Sequence, residues 1–256
     1  MIRMIYQMLQ CLDFTFAEYT RSGRVLIEIA AAAGCALIFF RPGVGQDSTP
    51  EYFFSIAGAF SLALCLYTAS SIFALGDRPH SYLLIAHGLG RRAFLLGLFL
   101  TVVAIVSASY GVLSLIIATI NPILGLDVRG WILGSIPLLL NVALLAALLT
   151  LLTPLVLPAG WRLVTLALVA LAFSGNLISG PTMAALPNGV ATILDVIRTI
   201  LGAPLLPAFT GFALAISRDY SGISLLVAPA QIALTLALLS LALKVFGERE
   251  LLFSQG

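Results

Sequence analysis

Residues 93–119 read AFLLGLFLTVVAIVSASYGVLSLIIAT and contain no Asp, Glu, Lys or Arg. A helix needs roughly 20 apolar residues to cross a bilayer, and this run exceeds that. The rest of the chain has the same character. Of 256 residues, 61% are hydrophobic and 9% charged, with a mean hydropathy of +1.10. A soluble domain of this size needs more polar surface to cover its core. The reading is an all-α, polytopic membrane protein. A net charge of +2 gives no reason to expect a nucleic-acid partner.

Working outward from 93–119, five further spans are expected, near 24–40, 52–75, 131–157, 163–179 and 224–243. The first and fifth are short for a bilayer. The fourth stops near Pro154 and Pro158. Residues 1–22 carry Met1, Ile5, Met8, Leu12, Phe16 and Tyr19 at helical spacing, with Arg3, Gln7, Gln10 and Glu18 elsewhere. That pattern predicts an amphipathic helix lying in the membrane interface. The N-terminal stretch lacks the uninterrupted apolar core and small-residue site of a signal peptide. The connection at 180–222 is long and half-apolar, and its piece AFTGFALAI, 208–216, is too short to span alone.

Loop charge sets the expected topology. With six spans both termini share a side. That side collects nine basic residues, from Arg3 and Arg21 through Arg91 and Arg92 to Lys244 and Arg249, against Arg41, Arg129, Arg198 and Arg218 on the other. Both termini are therefore expected in the cytoplasm of a multi-pass protein of the plasma membrane. The loop between the second and third spans is then cytoplasmic, and 180–222 faces outward.

That cytoplasmic loop, 76–97, reads GDRPHSYLLIAHGLGRRAFLLG and holds both of the chain's histidines. Pro79 suits a first helical turn. SYLLIAH then presents Tyr82, Leu83, Leu84 and Ile85, and Gly88 and Gly90 stop it. An apolar surface in an aqueous loop marks a partner site. A plain turn with positive-inside arginines is the competing reading.

The loop resembles the one between the second and third spans of ABC type-2 exporter permeases. In that family an acidic residue precedes an L-x-x-L-L helix, a small-residue break, one or two Arg and a run such as LLG. The matching residues are Asp77, Leu83 and Leu84, Gly88 and Gly90, Arg91 and Arg92, then Leu95, Leu96 and Gly97. The PHS at 79–81 departs from the family's Gly-Thr-like pair. A second likeness covers 186–222, LPNGVATILDVIRTILGAPLLPAFTGFALAISRDYSG, where Asp195 and Arg198 sit at i,i+3 spacing. The amphipathic start and the KVFGERELL ending, 244–252, are also similar to the family.

The resemblance implies a single permease domain over 1–256, with an elbow helix at 1–22, a coupling loop at 76–92 and an outer connection at 180–222. It implies a pathway formed with a second permease copy or a paralogue, surrounded by lipid. It also implies two copies of an ABC ATPase subunit that dock on Asp77, Arg78, Tyr82, Leu83, Leu84, His87 and Arg91. Short re-entrant or interfacial helices would precede the last span. Two other readings remain open: a haem or cytochrome-maturation permease, and a membrane anchor that moves no substrate.

The residues argue against chemistry of the chain's own. A phosphate-binding Walker A loop ends in Gly-Lys-[Ser/Thr], and the single lysine, Lys244, stands between Leu243 and Val245. ATP would therefore be bound by the partner subunit, and no cofactor is expected here. His80 and His87 have no Cys nearby and only Asp77 as a carboxylate neighbour, too few for a metal site. Both lie outside the spans, which disfavours an intramembrane serine protease. Cys11, Cys35 and Cys65 are dispersed and set among apolar residues, as buried thiols are.

Polar residues within the spans are the remaining candidates. Glu28 follows Arg24 by four positions. It either pairs with Arg24 at the interface or serves gating or contact with the elbow helix. Asn141, Asn176 and Gln231 either join helices through bonds of about 0.6–2 kcal/mol or line a path. The small-residue run Ala30–Gly34 permits close helix approach.

Overall fold

The computed structural model describes residues 2–41, 49–76, 90–158, 160–166, 199, 202 and 205–248. Within them the regular structure is entirely helical. Helix α1 is Ile2–Arg21, α2 is Arg24–Phe39, α3 is Pro50–Gly76, α4 is Arg91–Ile120 and α5 is Val128–Leu151. A short α6, Leu206–Ser217, is followed by a tight turn of helix at Gly222–Leu226 that runs into α7, Val227–Glu248.

Four helical segments are long and apolar enough to cross a membrane: α3, α4, α5 and Gly222–Glu248. A fifth follows if α1 and α2, bent by 74° at their junction, count as one broken span. Alone, the 16 residues of α2 fall short of the roughly 20 needed. The expected fifth span, 163–179, lies mostly outside the described residues, as does 77–89 of the loop. The fourth span is shorter than its apolar run. The helix ends at Leu151, and the chain turns through 152–157, where Pro154 has no N–H to continue the ladder.

Local chemistry sets the helix ends. Pro50 opens α3, where a missing N–H costs nothing, and Glu51 stands in the first turn, favourable to the helix dipole. Asp127 caps α5 by accepting from the Gly130 amide at 2.8 Å. Between α1 and α2 the chain bends at Gly23, whose φ of 75° is the left-handed region that glycine enters without penalty.

Helices α3, α4 and α5 form the centre. One end of the bundle gathers the start of α3, the end of α4 and the start of α5. There Phe40, just past α2, packs edge-on against Tyr52 and Phe53, and Asn121 donates to its carbonyl at 3.3 Å. The other end gathers the end of α3, the start of α4 and the end of α7. Close approach relies on small residues, as helix pairs in lipid do. A Cβ on Gly134 would overlap the Phe54 ring, and one on Gly97 would stand 2.7 Å from Cys11 Sγ.

Helix α1 packs on the bundle through a stripe that its amphipathic pattern does not single out. Cys11, Thr15 and Tyr19 are buried, while Ile5 and Phe16 are exposed. That face packs on protein, and much of the apolar face stays exposed. All three cysteines are free and buried.

Candidate functional site

Two buried polar centres each join three helices. The first is built on Glu28 of α2, which is only 2% exposed. Its carboxylate oxygen Oε1 accepts from the Tyr19 hydroxyl at 2.7 Å and from the Thr68 hydroxyl at 2.5 Å. One carboxylate thus ties α1, α2 and α3 together. The expected pair with Arg24 does not form. Arg24 instead donates Nη1 to the Ser71 carbonyl at 2.9 Å, one turn further along α3. The reason is geometric: the 74° bend at Gly23 brings the Tyr19 hydroxyl of α1 to the carboxylate on α2.

The second centre joins α5, α6 and α7. Gln231 is fully buried, and its Nε2 donates to Asn141 Oδ1 at 2.7 Å and to the Pro137 carbonyl at 3.1 Å. Asn141 Nδ2 then donates to the Ala208 carbonyl on α6 at 2.9 Å. The chain of amides needs α6 very close. A Cβ on Gly211 would overlap the Gln231 amide nitrogen and stand 3.2 Å from Asn141 Oδ1. Gln231 Oε1 is buried without a partner among the described residues. Buried polar groups normally have one, so this oxygen is an unused acceptor deep in the bundle.

Pro137 lies inside α5 and cannot donate to the carbonyl of Leu133. The Tyr220 hydroxyl does so instead, at 2.7 Å. Burial pushes the Tyr220 hydroxyl pKa up, which keeps it a donor. Nearby, Arg218 ends α6 at φ 55°, pairs with Glu51 of α3 and lies 5.9 Å from the centre of the Phe54 ring. The segment after α6 is thus fastened to α3 and α5.

The residues expected to couple to an ATPase fall differently. Asp77, Arg78, Tyr82, Leu83, Leu84 and His87 lie outside the described residues. Arg91 is the first residue of α4, directly after the extended Gly90. Three residues on, the Phe94 carbonyl accepts from Cys11 Sγ of α1 at 3.6 Å. Asn176 lies outside the described residues, as do Asp195 and Arg198. Among the described residues no cluster of His, Cys and carboxylates has metal-binding geometry.

Glu28, Asn141 and Gln231 stand out in the sequence, but their neighbours Tyr19, Thr68 and Gly211 do not, nor does Tyr220, which serves Leu133. Tyr19 was assigned to the apolar face of α1. Pro137 did leave a signal, since a proline inside a span frees a carbonyl that needs a donor. Comparison of the chain with protein-family models, curated proteins and solved structures finds no significant match.

Proposed function

We propose that the chain is the membrane-spanning permease subunit of an ATP-driven ABC-type exporter. It forms the substrate pathway with a second permease and is driven by two separate ATPase subunits that engage the 76–92 loop. Both termini are cytoplasmic in this reading, and six spans result when the α1–α2 pair and the segment around 163–179 each cross. The haem-type permease and the anchor differ from it in their partners.

The observation that carries the reading is the bent α1–α2 pair set against the mouth of the loop. An amphipathic helix turns by 74° into the next helix, and its buried face packs on the first turns of α4. The short apolar α6, tied to the last span through Asn141 and Gln231, supports it further.

In this mechanism, ATP binding draws the ATPase subunits together and displaces the 76–92 loop. Helix α4 begins where the loop ends, so the displacement enters its first turns. Cys11 sits against Phe94 and Gly97 there, so α1 moves with them. Tyr19 and Glu28 carry that motion to α2 and α3. Asn141, Asn176 and Glu28 are the polar groups available to a pathway, and α6 closes its outer end.

Deleting 82–86 tests the coupling. Membrane insertion and ATPase activity of the partner should persist while transport stops. Normal transport after the deletion would refute the coupling role.

A further inference from the structure

We infer that an apolar groove at the Asp127 end of the bundle is a binding site for a hydrophobic organic cation. The inference stands apart from the proposed function, because it concerns a site on this chain that needs no ATPase.

The groove lies between the last turns of α4 and the start of α5. Its volume is about 500 Å³, within the range of about 300–1,000 Å³ usual for small-molecule sites. Ser114, Leu115, Ile123, Leu126 and Trp131 line it, with Phe53 of α3. The only charged group in its wall is Asp127. One carboxylate oxygen, Oδ1, caps the Gly130 amide. No cation pairs with Asp127 among the described residues, and Arg218 close by is held by Glu51.

The aromatic wall is fixed in place. Trp131 stacks on Tyr110 with centroids 6.1 Å apart and planes 10° apart. The Tyr110 hydroxyl bonds Ser135 Oγ at 2.7 Å, and that hydroxyl also donates to the Trp131 carbonyl at 2.7 Å. A carboxylate without a cation partner, at the rim of an apolar slot with an aromatic wall, favours positive charge through Coulomb attraction. An apolar anion of the same shape would meet the same walls but the wrong charge.

The test uses tetraphenylphosphonium and tetraphenylborate, matched in shape and opposite in charge. Trp161→Phe, at a residue 65% exposed, leaves Trp131 as the sole tryptophan reporter. The expected result is saturable quenching of Trp131 by the cation. Asp127→Asn should weaken it about tenfold, while keeping the helix cap, because Asn caps as well as Asp. Gly111→Leu should abolish it by filling the groove, since nothing lies within 4 Å of a Cβ placed there. Equal quenching by both ions, with no effect of Asp127→Asn, would overturn the inference and make the groove an apolar slot for lipid chains. Cation quenching that survives Gly111→Leu would overturn it too.

Discussion

The hydroxyl of Tyr220 donates at 2.7 Å to the carbonyl of Leu133, the carbonyl that Pro137 leaves without its helical partner. A residue between α6 and α7 thus completes the backbone of α5. Tyr220→Phe should destabilise the protein by about 0.5–1.5 kcal/mol, the net worth of a part-buried hydrogen bond. Pro137→Ala restores an N–H to α5 and should recover most of that loss in the double variant. The check is a double-mutant cycle by thermal unfolding in detergent. Additive effects would disconnect the two residues.

The Glu28 centre should hold α1 in place. With Cys35 and Cys65 replaced by Ala, Cys11 is the only thiol, and at 2% exposure it should resist maleimide. Tyr19→Phe or Glu28→Leu should release α1 and raise its labelling rate several-fold. Glu28→Gln keeps an acceptor for both hydroxyls and should stay close to the parent. Equal labelling in all four proteins would show that α1 is held by other contacts.

Gly211 marks the closest helix approach in the amide junction. Gly211→Ala should cost about 1–3 kcal/mol, the range for overpacking a tight core. Gln231→Ala removes the amide that the new methyl overlaps, so adding it should relieve part of the loss. Failure of the second change to relieve the first would place the strain elsewhere. Unfolding midpoints of the three variants decide it.

Arg218 gives a smaller, signed effect. Its pair with Glu51 is weak, because the Glu51 side chain is 53% exposed and exposed pairs contribute about 0–1 kcal/mol. Its left-handed backbone, φ 55°, costs a non-glycine residue about 1–2 kcal/mol. Arg218→Gly should therefore be more stable than Arg218→Ala by about 1 kcal/mol, measured by the same unfolding assay.

Hydropathy located the helices better than their contacts. The runs at 52–75 and 93–119 correspond to Pro50–Gly76 and Arg91–Ile120. Apolar length is a local property, and the bilayer requirement acts on each run separately. The end of α5 was misplaced because Leu155, Val156 and Leu157 prolong the apolar run beyond Pro154. The packing stripe of α1 is not legible in its amphipathic pattern. In lipid the apolar face need not be the buried one, so Cys11, Thr15 and Tyr19 face protein while Ile5 and Phe16 do not. Glu28 was visible as an oddity in its span. Its partners Tyr19 and Thr68, the latter 40 residues distant, depend on the bend at Gly23 and on helix pairing, which no local pattern encodes.

The central claim is that this chain transmits the work of a separate ATPase through the 76–92 loop. Purification of the tagged protein from membranes in mild detergent, with ATPase assay of what accompanies it, tests that most directly. The account predicts an ATP-hydrolysing subunit at about one per permease, lost when Leu83 and Leu84 are both changed to Asp. Absence of any ATPase across several detergents, or its retention in the Leu83→Asp, Leu84→Asp variant, would contradict it.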